Sequence, residues 1–257
     1  MRCCGFRLHL CRTGWLGLKM MCKTLGMAWN PWLIALFLSV PATVYLLTKG
    51  QNGTFSVFIW ALGICLLQKD RDWPAGFVLS LALFKPQFAV LIPVMLAVLH
   101  KTTALKAWFS GAMVLFAVSV VVSGIRWPLD YVNLLASEGY VGGHAMVLPN
   151  MVSLTGQLRS VLGIKPLPLA LLVWAVAAVI IVVASRRLRL RGLSALTMAL
   201  TLFTSPHAFE YDLVLLTWPC LVVWWSVRNN KSAASPIQGR SETRVFTSRP
   251  RRGPYLY

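Results

Sequence analysis

Lys85 is the residue whose chemistry stands out most from its surroundings. It lies in Leu83-Phe84-Lys85-Pro86-Gln87, between two apolar runs at 73–84 and 86–99. An ammonium held among apolar helices must be paired, hydrated or in use, and a lipid-borne phosphate is the partner that could reach it from a membrane. Pro86 and Gln87 add a helix break with free backbone groups at the same place. The second polar group is Ser205-Pro206-His207-Ala208-Phe209-Glu210-Tyr211-Asp212. A hairpin tip needs neither an imidazole nor two carboxylates. His207 with Glu210 or Asp212 could hold a phosphate and accept a proton, the ingredients of transfer to a hydroxyl. Asp212 could equally cap the helix that follows.

Two further segments are weaker signals. Gly50-Gln51-Asn52-Gly53 reads as a tight turn that presents Gln51 and Asn52. A long polar stretch holds His144 and Asn150, then Leu154, Leu158, Val161 and Leu162 at the spacing of one helical face. That pattern predicts an amphipathic helix lying on the membrane surface, as an acceptor platform or as packing. Neither a phosphate-binding glycine loop nor a zinc-type His or Cys pattern occurs in the sequence, so neither metal nor cofactor is expected.

The elements that must position these residues are apolar helices. Of 257 residues, 57% are hydrophobic and 12% charged, and the mean hydropathy is +0.67. A soluble core is excluded by that composition. Apolar runs at 31–47, 53–67, 73–84, 86–99, 107–125, 167–185, 193–204 and 213–227 predict an all-α, polytopic transmembrane bundle of about eight helices, some short and paired. At about 1.5 Å per residue, the shortest runs reach only about 18 Å of an apolar layer about 30 Å thick.

Loop charge decides whether 73–99 is one span or two. With a turn at Lys85-Pro86-Gln87 and an inner N-terminus, 20 of the 25 Lys and Arg fall on the inner side, leaving Lys49, Lys85, Arg126, Arg159 and Lys165 outside. A single span would put Arg186, Arg187, Arg189 and Arg191 outside, against the positive-inside bias. Two short helices are therefore expected, and likewise a break at Ser205-Pro206 within 193–227. The chain divides into a basic segment 1–30, a transmembrane domain 31–227 with an outer loop 126–166, and a basic tail 228–257 that reads as disordered. The expected location is the cell membrane, multi-pass, with both termini cytoplasmic. The net charge of +18 is read as membrane-flanking cations rather than a nucleic-acid surface.

Gly50-Gln51-Asn52-Gly53, then Leu83-Phe84-Lys85-Pro86-Gln87, a Pro-Asn…Ser-Leu-x-Gly loop and a final Ser-Pro-His…Tyr-Asp together resemble glycosyltransferase family 87 of the GT-C superfamily, over roughly 29–227. The resemblance implies transfer of a hexose, mannose-like, from a polyprenyl-phosphate donor to a lipid or glycan acceptor on the extracytoplasmic face. It further implies that Lys85 and His207 face the donor phosphate, while Gln51, Asn52 and Gln87 shape the donor pocket. Such enzymes carry a general-base Asp in their first outer loop, and 48–52 contains no acid. Two explanations follow: an N-terminal portion is missing and the chain is inactive alone, or Glu210 or Asp212 substitutes. The first is the expectation. Readings of other classes are a transporter or flippase of a lipid-linked or anionic solute, which also uses broken helices, and a non-catalytic membrane scaffold.

Overall fold

A computed structural model describes residues 2–49, 51–136, 151–162, 166–206 and 208–234. Among these residues the fold is helical, apart from one isolated antiparallel bridge between Met151 and Phe209. It contains twelve α-helices: α1 (Arg2–Leu25), α2 (Trp32–Ser39), α3 (Pro41–Lys49), α4 (Gly53–Gln68), α5 (Asp72–Ser80), α6 (Ile92–Val98), α7 (Thr102–Ser123), α8 (Trp127–Ala136), α9 (Leu154–Leu162), α10 (Pro166–Ser185), α11 (Leu190–Thr204) and α12 (Thr217–Ala234). Single 3₁₀ turns at Leu81–Phe84, Pro86–Phe88 and Glu210–Leu216 connect α5 to α6 and α11 to α12.

The run 73–99 forms a hairpin, as its charge pattern predicts. α5 and its 3₁₀ extension run to Lys85, whose φ −124° and ψ 83° leave the helical region, and Pro86 opens the returning 3₁₀ turn. The two ends come back together, because Lys101 Nζ lies 2.9 Å from Asp70 Oδ1 and 3.0 Å from Asp72 Oδ1. Those two carboxylates raise the Lys101 pKa. Lys85 therefore marks one end of the bundle and Lys101 the other. Gly76 lets α7 close against α5, since a β-carbon there would run into the Ala104 carbonyl of α7.

α4 is central and buried on most of its surface, with Val57, Trp60 and Ile64 fully enclosed. Trp218 at the start of α12 donates its indole N–H to Ser194 Oγ at 3.1 Å, both side chains buried. This bond joins α11 to α12 without leaving a polar group exposed to hydrocarbon. α7 and α10 are long and apolar enough to cross a membrane, and α2 with α3 passes only as a bent pair. Their outward faces are apolar: Val114, Val118, Val121, Leu172, Val179 and Val183 are all exposed. A surface of that kind faces lipid.

The structure corrects one expectation and adds to two others. The run 31–47 is two helices bent by 71°, because Pro41 cannot continue α2 and instead starts α3. The segment 1–30, expected only as a basic stretch, holds a helix that packs into the bundle. α1 packs alongside α4 and in the same direction: Thr13 Oγ1 hydrogen-bonds Thr54 Oγ1 at 3.2 Å, Gly17 faces the Phe58 backbone, and the Gln68 amide reaches the Thr24 carbonyl. The start of α1 thus lies at the Lys85 end. Its buried stripe of Leu10, Leu18, Met21 and Leu25 makes this possible, with Arg12, Lys19 and Lys23 exposed on the other side. Finally, α9 forms as predicted, with Leu154 and Val161 exposed, while Thr155 and the preceding Ser153 are buried. Thr155 Oγ1 donates to the Thr204 carbonyl at 3.0 Å, satisfying an end group of α11.

Candidate functional site

The hairpin tip and the segment after α11 meet at the Lys85 end. Ser205 is extended after α11 (ψ 134°), so Ser205-Pro206 breaks the 193–227 run as expected. Met151 pairs with Phe209 across the isolated bridge, and Val152 N–H donates to the Ala208 carbonyl at 2.9 Å. Chain from the long loop thereby fixes the direction in which the Glu210–Leu216 turn sets off.

That turn places Asp212 inward and Glu210 outward. Asp212 is buried, whereas Glu210 is exposed. Lys85 Nζ donates to Asp212 Oδ1 at 2.8 Å, with side-chain exposures of 15% and 3%. The second carboxylate oxygen accepts the Phe209 backbone N–H at 3.2 Å. Asp212 thus caps the turn with one oxygen, as one sequence reading expects, and pairs through the other with Lys85, a partner that neither reading names. Around the ammonium, the rings of Phe88 and Tyr211 lie 5.4 and 5.5 Å away, and Tyr211 stacks between Tyr45 and Phe209. Aromatic faces attract a cation and exclude water, so the pair sits in a site of low polarity.

Gln51 and Asn52 approach the same turn through their neighbour. Gly53 opens α4 against Leu46, Val214 and the Tyr211 carbonyl, where a β-carbon would collide with Leu46. Both polar side chains are half-buried, and Asn52 makes no capping bond to α4. Gln87 faces a different space. With Lys85 and Pro86 it lines a groove of about 840 Å³ whose other wall is Trp108, Phe109, Met113 and Phe116 of α7, closed by Trp127 of α8. Lys85 is the one charged residue among those lining it. His144, Asn150 and His207 lie outside the described residues.

The structure therefore brings together Lys85, Asp212, Gln87 and the Gln51-Asn52 joint, and leaves Glu210 on the surface. Sequence reasoning missed the α7 wall, whose aromatic residues read simply as part of a span. A hint was present in Trp108, Phe109, Met113 and Phe116, which recur on one helical face. Among the described residues no group of three or more His, Cys, Asp or Glu side chains is placed to hold a metal ion.

Neither a curated protein nor a solved structure matches the chain. The model of glycosyltransferase family 87 matches residues 8–231, taking in α1 as well as the site, so the family extends further toward the N-terminus than the motifs suggest. That match covers most of the chain, which is therefore a membrane glycosyltransferase of family 87.

Proposed function

We propose that this membrane glycosyltransferase takes a hexose, mannose-like, from a polyprenyl-phosphate donor and delivers it to a lipid or glycan acceptor at the Lys85 end of the bundle, the extracytoplasmic side. The observation that carries the reading is the junction of the apolar groove with Lys85. An isoprenoid tail suits a groove walled by Phe109, Met113 and Phe116, and a phosphate suits the single ammonium at its end.

In this reading Asp212 is the general base in place of the acid that such enzymes carry in their first outer loop. In the free protein Lys85 neutralises it. The arriving donor phosphate competes for the ammonium, and the carboxylate is left to accept the acceptor's hydroxyl proton. The hydroxyl oxygen bonds to the anomeric carbon as the bond from that carbon to the phosphate oxygen breaks. Polyprenyl phosphate leaves with the electron pair, held by Lys85, and the anomeric configuration inverts. A base positioned in this way contributes about 10² to 10⁴ in rate. Gln87, Gln51 and Asn52 serve as donor-pocket residues, His207 as a second phosphate contact, and His144 and Asn150 as acceptor-side residues of the loop.

The test is release of polyprenyl phosphate by the purified chain given a radiolabelled polyprenyl-phosphate hexose and a membrane glycolipid extract. Release that Lys85→Ala abolishes and Lys85→Arg partly retains supports the reading, because charge serves a phosphate even when geometry differs. Full turnover by Lys85→Ala contradicts it.

A further inference from the structure

A second pocket, of about 630 Å³, opens at the opposite end of the bundle. Its polar wall is Gln68, Asp70, Lys101, Arg189 and Arg191, and its apolar wall is Leu67, Leu190 and Trp225. None of these residues takes part in the Lys85 site.

The charges here are not balanced. Lys101 is already satisfied by Asp70 and Asp72, at 2.9 and 3.0 Å. Among the described residues Arg189 and Arg191 form no ion pair. Arg191 is nonetheless held in place: its guanidinium carbon lies 4.9 Å from the centre of the Trp225 ring. The Gln68 amide, oriented to donate to the Thr24 carbonyl, accepts from Arg191 Nε at 3.0 Å. An oriented guanidinium without a carboxylate is set for an anion with two acceptor oxygens. The extended backbone of Arg189 starts α11 at the rim, with its side chain exposed.

The apolar wall says what kind of anion. A free phosphate gains nothing from the half-buried Leu190 and Trp225, whereas a phosphodiester bearing a glycerol backbone and acyl chains covers them. We propose that this pocket binds the phosphodiester headgroup of an anionic membrane phospholipid, with Arg189 and Arg191 holding the phosphate and Trp225 packing against the glycerol. Basic pockets between membrane helices suit such headgroups, and loop charge assigns this end to the inner leaflet. The inference stands independently of the donor assigned to the other end.

Native mass spectrometry of the full chain, released from detergent with added phosphatidylglycerol, phosphatidylcholine or inorganic phosphate, tests it. Phosphatidylglycerol should bind at least about fivefold more tightly than phosphatidylcholine, and inorganic phosphate at equal concentration should not displace it. Arg189→Gln with Arg191→Gln should weaken phosphatidylglycerol by about tenfold or more, and exposed Arg189→Gln alone by about fivefold. Arg186→Gln with Arg187→Gln, which removes the same charge from the neighbouring turn, should stay within about twofold of the parent. Equal binding of the two lipids, displacement by inorganic phosphate, or equal loss in the two double variants would overturn the proposal.

Discussion

Lys85 and Asp212 stand 127 residues apart in the chain and 2.8 Å apart in space, joining the tip of the α5–α6 hairpin to the turn that follows α11. Asp212 has only 3% of its side chain exposed. Removing one member therefore strands the other charge in surroundings that solvate it poorly, at a cost of about 3–5 kcal/mol. Lys85→Met and Asp212→Leu should each lower thermal stability in detergent, and the double variant should recover most of the loss. Additive losses in this double-mutant cycle would show that the two side chains do not depend on each other.

The groove beside the pair gives a prediction separable from stability. Met113 is 65% exposed on its α7 wall, so Met113→Trp should fold normally while narrowing the space for a lipid tail. Donor KM should rise by about tenfold or more, which corresponds to about 1.4 kcal/mol of lost binding, with the melting temperature unchanged. An unchanged donor KM would place the tail elsewhere.

How much of this was legible in the sequence follows from which signals are local. The breaks at Lys85-Pro86 and Ser205-Pro206 are local events, where a proline meets a polar residue inside an apolar run, and both occur where expected. Pro41 was overlooked because its neighbours are apolar on both sides, although its effect on the helix is the same. α1 is not legible in the basic segment 1–30 because its average hydropathy conceals a continuous buried stripe from Leu10 to Leu25 behind exposed cations. α9 exposes Leu154 and Val161 while Thr155 is buried, because the end of α11 offers a carbonyl for Thr155 to satisfy. Asp212 and Glu210, two residues apart, were equal candidates in sequence. The register of a 3₁₀ turn, fixed by long-range pairing at Met151 and Ala208, buries only the first of them.

The parallel packing of α1 on α4 makes a topological prediction. In a cysteine-free background, single cysteines at His9 and Lys49, near the Lys85 end, should be labelled from the same side of the membrane. A cysteine at Asn229, beyond Trp225 on α12, should be labelled from the other side. Labelling of positions 9 and 229 from one side would mean that α1 does not follow α4 through the membrane.

Close packing of the hairpin should also be visible in stability. Gly76→Val places a branched side chain against the Ala104 carbonyl, and overpacking of this sort costs about 1–3 kcal/mol. The melting temperature in detergent should fall, whereas Gly26→Asn, at an open position with φ +69°, should leave it nearly unchanged. Equal effects at the two positions would argue against the α5–α7 contact.

The most direct measurement of the central claim is turnover of a labelled polyprenyl-phosphate hexose by the purified chain and by two isosteric variants, Asp212→Asn and Glu210→Gln. With Asp212 as the base, the parent chain releases polyprenyl phosphate, Asp212→Asn falls by about 10² to 10⁴, and Glu210→Gln retains most of the rate. Unimpaired turnover by Asp212→Asn, loss confined to Glu210→Gln, or no turnover by the parent chain would contradict the assignment.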